Sequence, residues 1–256
     1  MLSTRFVALL LITGACVTNA AVADPVRPDF PQLTLTTELL APSSLVARGG
    51  AAGIATDKVR EAMRRSGVAY RIEMLPWQRA YHAALTRPAT CVYSTTRTPE
   101  REALFKWAGP TDIAQWVLVG RAGSAPRLGS LADARGLRIG TYNGDAKEVW
   151  LRSRGFSVDS TSNDGHNLDK LMAGRIDLWA VSMRSGSKVL ARHGYEGKLV
   201  PLLVFNKIGV YLACNRSVPD ALVARLNTAF AAIARDGTGR RIERSYEKWG
   251  QEGRRP

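Results

Sequence analysis

Strand-period and helix-period segments alternate along this chain. That alternation limits it to an α/β architecture in which helices are laid on a central sheet. Residues 33–39 (LTLTTEL) alternate with period two and predict a strand. Residues 56–66 predict a helix, with Thr56 placed to cap it and Gly67 to close it. A strand over 70–75, a helix over 77–85 and a strand over 90–94 complete a β-α-β-α-β opening. The pattern then restarts, with strands over 116–119 and 137–142 and a helix over 145–154 stopped by Gly155. A helix over 167–173, stopped by Gly174, precedes strands over 176–181, 200–205 and 210–214. The clearest helix is 219–235, where Leu222, Leu226, Phe230 and Ile233 keep helical spacing and Pro219 suits a first turn. A final helix is expected over 241–249. No repeat, linker or low-complexity segment interrupts the series.

The first residues read as an export signal. Arg5 precedes an apolar stretch, residues 6–17, that is shorter than the roughly 20 residues of a membrane span. Ala21-Val22-Ala23 supplies a small-x-small cleavage pattern, so residues 1–23 are expected to be removed and Asp24 to begin the mature chain. A membrane anchor is one alternative. A lipoprotein signal ending at Cys16 is another, although Thr13 stands where such signals usually carry Leu. Once the signal leaves, Cys91 and Cys214 remain, and an even pair in an exported chain suggests one disulfide. Two buried free thiols are the alternative.

The formal net charge is +14. The basic residues are spread along the chain without a dense run or interleaved aromatics, which argues against nucleic acid and for a solvated basic surface. A positive field still raises the local concentration of an anionic solute. His82, His166 and His193 are the only histidines, and none has metal-ligand spacing with another His, Cys or carboxylate. No G-x-S-x-G elbow, P-loop or G-x-G-x-x-G fingerprint occurs. No metal, no cofactor and no catalytic set is therefore expected. Glu38, near a strand end, is the one residue that invites a general-base reading, with a rim carboxylate or ligand contact as the plainer account.

Four ordered stretches carry a family resemblance. They are Thr98-Pro99-Glu100-Arg101 with Phe105-Lys106-Trp107 and Gly109-Pro110; Ser130-Leu131 leading to Gly136-Leu137-Arg138-Ile139-Gly140 and Asn143-Gly144; Leu171-Met172-Ala173-Gly174-Arg175-Ile176-Asp177; and residues 219–227 leading to Asp236-Gly237-Thr238. On these the chain resembles the family 3 solute-binding proteins of polar amino acid uptake systems. The resemblance implies the two-lobed type II periplasmic binding protein fold, with lobe 1 formed by residues 24–115 and 209–256, lobe 2 by 116–208, and two crossover strands between them. It implies a periplasmic monomer that closes on a small-molecule ligand, expected to bear a carboxylate, and delivers it to the membrane permease of an ABC transporter. A ligand-sensing module for a membrane receptor is the alternative, and a dehydratase-like enzyme on the same fold a more distant one. On this fold the strands carrying Cys91 and Cys214 are neighbours.

The resemblance also nominates site residues. Arg101 matches the arginine that grips the ligand carboxylate, a task suited to a planar guanidinium. Thr96 matches a hydroxyl contact, with Ser94 and Thr95 beside it. Trp77 falls where relatives line the pocket with an aromatic, and Arg79 is two residues on. Asn143, Gly144 and Asp145 precede a helix whose N–H groups suit an anion. Ala146 stands where relatives often carry a hydroxyl, and Leu40 where they carry an aromatic. Ser182 replaces the aspartate that holds the α-ammonium of amino acids, which implies that the carboxylate grip is kept and the amino grip lost.

Overall fold

A computed structural model of the chain describes residues 30–47, 49–184 and 197–247. The expected signal, Cys16 and His193 lie outside the described residues. In chain order the strands are β1 (Leu33–Thr37), β2 (Leu45–Ala47), β3 (Gly50–Ala52), β4 (Tyr70–Met74), β5 (Thr90–Thr96), β6 (Lys106–Arg121), β7 (Ile139–Tyr142), β8 (Val158–Thr161), β9 (Leu178–Met183) and β10 (Leu199–Cys214). The helices are α1 (Ile54–Ser66), α2 (Trp77–Thr86), α3 (Ala146–Arg152), α4 (Gly165–Met172), α5 (Asp220–Arg235) and α6 (Thr238–Ser245).

Eight strands form one sheet in the order β4-β1-β5-β10-β6-β9-β7-β8, and β2 and β3 form a separate ribbon. The outer strands of each half run parallel: β1 with β4 and β5, and β7 with β8 and β9. The two 16-residue strands β6 and β10 run antiparallel through the middle and serve both halves. The end of β10 pairs with β5, whereas the end of β6 pairs with β9.

Strand β10 joins the two strands expected over 200–205 and 210–214, and β6 extends far before the single strand expected over 116–119. In β10 the ladder shifts register between Pro201 and Leu203, between Val204 and Asn206, and between Val210 and Leu212. A bulge moves later side chains to the other face, so the period-two pattern breaks while the strand continues. In β6 the Gly109-Pro110 pair removes a side chain and a donor, which hides the strand in the same way.

Smaller corrections fall at helix ends. The residue that caps α1 is Gly53, not Thr56, whose hydroxyl is buried against the Tyr93 hydroxyl at 2.9 Å. Gly53 has φ 115°, and a Cβ there would lie 2.5 Å from the Ser43 carbonyl oxygen, so glycine is required. Gly67 closes α1 in the left-handed conformation as expected. The final helix starts earlier than expected, because the Asp236 carboxylate accepts the Thr238 N–H at 2.9 Å and sets its first turn. Thr98 leads into a 3-10 turn (Pro99–Leu104).

The buried apolar clusters respect the two halves. Leu33, Leu35, Met63, Leu222 and Phe230 are among the buried residues of one half, and Trp77, Val92, Phe105 and Trp107 form a second cluster there. In the other half, Val117, Leu171 and Trp179 belong to one cluster and Leu118, Ile139, Leu151 and Leu178 to another. Hydrophobic burial is thus divided between two halves joined by two strands, which permits the halves to move as units. Cys91 and Cys214 are fully buried register partners of β5 and β10 and form a disulfide.

Candidate ligand cleft

Strand β5 delivers the first half of the site. The chain leaves it at Thr96 and enters the 3-10 turn, which turns Arg101 inward; this side chain is only 8% exposed. Its Nη2 donates to the Gly144 carbonyl at 3.0 Å, and Nη1 makes a long 3.5 Å contact with the Thr96 carbonyl. The guanidinium lies 4.8 Å from the Tyr81 ring centre and 5.8 Å from that of Trp77. Trp77 and Tyr81 are four residues apart on α2, which puts both rings on one helix face. Among the described residues no carboxylate forms an ion pair with Arg101.

The second half comes from the end of β7 and the start of α3. Gly144 has φ 75° and packs close to Gln78 of α2, so the loop meets the opposite half through bare backbone. Its carbonyl accepts from both Arg101 and Trp77 Nε1, the latter at 3.1 Å. The next residue, Asp145, is buried and caps α3 by accepting the Lys147 N–H at 2.6 Å. Lys147, 3% exposed, returns its ammonium to the same carboxylate at 2.8 and 2.9 Å and donates to Ser182 Oγ at 3.1 Å. Burial pushes the Asp145 carboxyl up, but the Lys147 charge and hydrogen bonds outweigh it and hold the carboxyl below its ordinary value.

A third contact spans the halves. The Tyr142 hydroxyl donates to Glu38 Oε1 at 3.1 Å. Burial is the main reason the Glu38 carboxyl is pushed up to about 7; Tyr142 and the Arg184 charge pull it down, while Asp145 and Asp164 push it further up. Asp164, raised mainly by burial, accepts from Trp179 Nε1 at 2.8 Å and from Asn167 at 3.1 Å.

Residues 34–252 match the model of the bacterial extracellular solute-binding proteins, family 3. The chain belongs to this family. No curated protein matches it in sequence. Solved structures share its fold at low identity. A histidine kinase sensor domain described as similar to periplasmic binding proteins is 18% identical, with a TM-score of 0.75, covering 85% of this chain and 96% of its own. The GluR0 ligand-binding core from Nostoc punctiforme, in complex with L-glutamate, is 18% identical with a TM-score of 0.71, covering 85% and 99%. The arginine-, lysine-, histidine-binding protein ArtJ from Geobacillus stearothermophilus is 18% identical with a TM-score of 0.70, covering 88% and 97%. These neighbours are two-lobed, and the halves described above are the corresponding lobes of a family 3 protein.

In this solute-binding protein the structure gathers most of the nominated residues at one place between the lobes. Arg101, Trp77, Gly144, Asp145 and Ser182 belong to one connected set of contacts. Thr96 is buried beside Arg101, and Thr95 spends its hydroxyl on the Val92 carbonyl at 3.1 Å. Ser94 is buried with φ 62°, where the ladder between β5 and β10 shifts register, and its hydroxyl has no partner among the described residues. Asn143 is exposed, and its N–H pairs with the Thr161 carbonyl. Arg79 is also exposed, on a solvated face of α2. Leu40 is partly buried and bridges Ser44 through its backbone.

The start of α3 differs from the expectation of open N–H groups for an anion. The Gly144 N–H pairs with the Glu148 carboxylate at 2.8 Å and the Lys147 N–H with Asp145, so the chain's own carboxylates take these donors. Lys147 was legible only indirectly. A lysine in the first turn of a helix opposes the helix dipole, and that conflict signals a specific buried partner. Tyr81 and Tyr142 were missed as single aromatics among many. Among the described residues no group of three His, Cys, Asp or Glu side chains is placed to hold a metal. A surface concavity of about 620 Å³ on α1 and α6 shares none of these residues, and its Glu61, Arg64 and Arg65 pair with one another.

Proposed function

We propose that this family 3 protein captures a small carboxylate-bearing solute between its lobes, with Arg101 as the electrostatic anchor, and presents the closed form to an ABC importer from the periplasm as a monomer. The observation that carries the reading is Arg101 itself, a permanently charged guanidinium buried between the lobes with no carboxylate paired to it among the described residues. Burying such a charge is costly unless an anion completes it. Trp77 and Tyr81 set their rings against the guanidinium, which limits its freedom before a ligand arrives. A solute carboxylate would take these donors in competition with the Gly144 carbonyl, next to the buried Thr96. Residues 24–115 and 209–256 are assigned to lobe 1 and 116–208 to lobe 2.

The fold shared with a histidine kinase sensor domain favours a second reading, in which the closed form is recognised by a membrane receptor instead of a permease. Both readings need the same cleft. Thermal unfolding against a panel of carboxylates, amino acids, peptides and polyamines tests the solute class. A carboxylate present at about a hundred times its Kd should add roughly 2.7 kcal/mol of stability. Stabilisation by polyamines alone would overturn the carboxylate reading.

A further inference from the structure

Arg101 explains one end of a solute; it leaves Lys147 without a role. Lysines are rarely buried to this extent, and this one stands where the helix dipole disfavours it. Its ammonium makes three hydrogen bonds, two to Asp145 and one to Ser182, and lies against the rings of Tyr142 and Trp116. These satisfy its donor capacity, so Lys147 has no proton left to give a solute. Its effect is on the neighbours instead. The Asp145 carboxylate, close enough to Arg101 for that charge to hold it down, is already neutralised. Ser182 Oγ accepts from Lys147, which leaves the hydroxyl proton for an acceptor.

The surroundings of a carboxylate held by Arg101 are therefore an internal ammonium, a spent carboxylate and a hydroxyl donor. A solute ammonium beside its own carboxylate would meet Lys147 as a like charge and Ser182 as a donor. Of the other acids near by, Asp164 is tied to Trp179 and Asn167, and Glu38 takes the Tyr142 hydroxyl. A carbonyl or hydroxyl oxygen in the same place would accept the Ser182 proton.

We propose that Lys147, locked between Asp145 and Ser182, is a specificity-determining residue that restricts the cleft to acids carrying an oxygen, not an ammonium, on the carbon next to the carboxylate: 2-oxo and 2-hydroxy acids. This rests on the reading of Arg101 as the carboxylate anchor. Lys147 acts as a tethered counter-charge that occupies Asp145 in place of a solute's amino group.

Calorimetric titration of the whole protein with matched sets tests the inference: pyruvate, L-lactate and L-alanine; 2-oxoisovalerate, 2-hydroxyisovalerate and L-valine; 2-oxoglutarate, 2-hydroxyglutarate and L-glutamate; phenylpyruvate, phenyllactate and L-phenylalanine. The expected result is that, in at least one set, an oxo or hydroxy acid binds at least about tenfold tighter than its amino partner. The Lys147→Gln/Ser182→Asp double variant, with its fold checked by circular dichroism, should reverse that order. Equal or tighter binding of the amino member by the unaltered protein overturns the role of Lys147 and leaves the Arg101 reading in place. Binding of no member of any set overturns the assignment to 2-oxo and 2-hydroxy acids, whereas the Arg101 reading falls only if no carboxylate of the wider panel stabilises the protein. The comparison within the unaltered protein does not depend on the variant folding.

Discussion

Replacing Glu38 with glutamine should change how stability depends on pH. Folding moves the Glu38 carboxyl from its ordinary value of 4.5 to about 7, chiefly through burial between the lobes. Each pH unit of such a shift corresponds to 1.36 kcal/mol, so the full shift amounts to about 3.4 kcal/mol. The carboxyl retains some solvent contact, and screening reduces this to about 2 kcal/mol. The sign follows from which state binds the proton more tightly. The folded state does, so the contribution is complete below pH 4.5, is lost as pH rises toward 7, and stays lost above it. Glutamine accepts the Tyr142 hydroxyl as glutamate does but cannot ionise. Urea unfolding of both proteins at pH values from 4 to 8.5, followed by tryptophan fluorescence, reads the difference. Relative to the unaltered protein, Glu38→Gln should gain about 2 kcal/mol between the two ends of that range. Parallel stability curves would refute the placement of an ionisable carboxyl in a desolvated contact between the lobes.

Three further outcomes follow from the same structure. Removing the Cys91–Cys214 bond, which closes a separation of 123 residues, should lower the unfolding free energy by about 4–5 kcal/mol in a double alanine variant, measured by denaturant titration; a loss under 1 kcal/mol would contradict a bond that constrains the unfolded chain. Lys147→Met should cost about 3–5 kcal/mol of stability, because Asp145 keeps its burial and loses its counter-charge, and adding Asp145→Asn should restore much of that loss; full additivity of the two changes would contradict the pairing. Protein recovered from an exporting cell should begin at Asp24 on N-terminal sequencing, whereas a lipid-modified Cys16 found by mass spectrometry would contradict that cleavage.

Much of the fold was legible because burial writes a period into the sequence. The apolar positions of α5 are set by a single buried face, β1 shows its alternation because threonines share its buried surface with Leu33 and Leu35, and glycines such as Gly67 mark helix ends that need a left-handed residue. The two central strands were not legible as wholes. Bulges in β10 and the Gly109-Pro110 pair in β6 interrupt the period, while hydrogen bonds from neighbouring strands, distant in sequence, keep each strand continuous. The site shows the same division. Arg101 lies in the Thr98–Arg101 motif, and Trp77 and Ser182 stand at positions that the family resemblance marks. Lys147 and Tyr142 take their roles from contacts across the fold, to Ser182 at a separation of 35 residues and to Glu38 at 104, and no local pattern records these.

The central claim is that Arg101 holds the carboxylate of a solute between the lobes. Its most direct test is the calorimetric affinity of the tightest-binding carboxylate, compared between the unaltered protein and Arg101→Ala at equal ionic strength. Removing a charged partner from a closed cleft costs about 2–5 kcal/mol, so the affinity should fall at least about thirtyfold, with the fold unchanged by circular dichroism. Affinity within twofold of the unaltered protein would contradict the claim and remove Arg101 from the site.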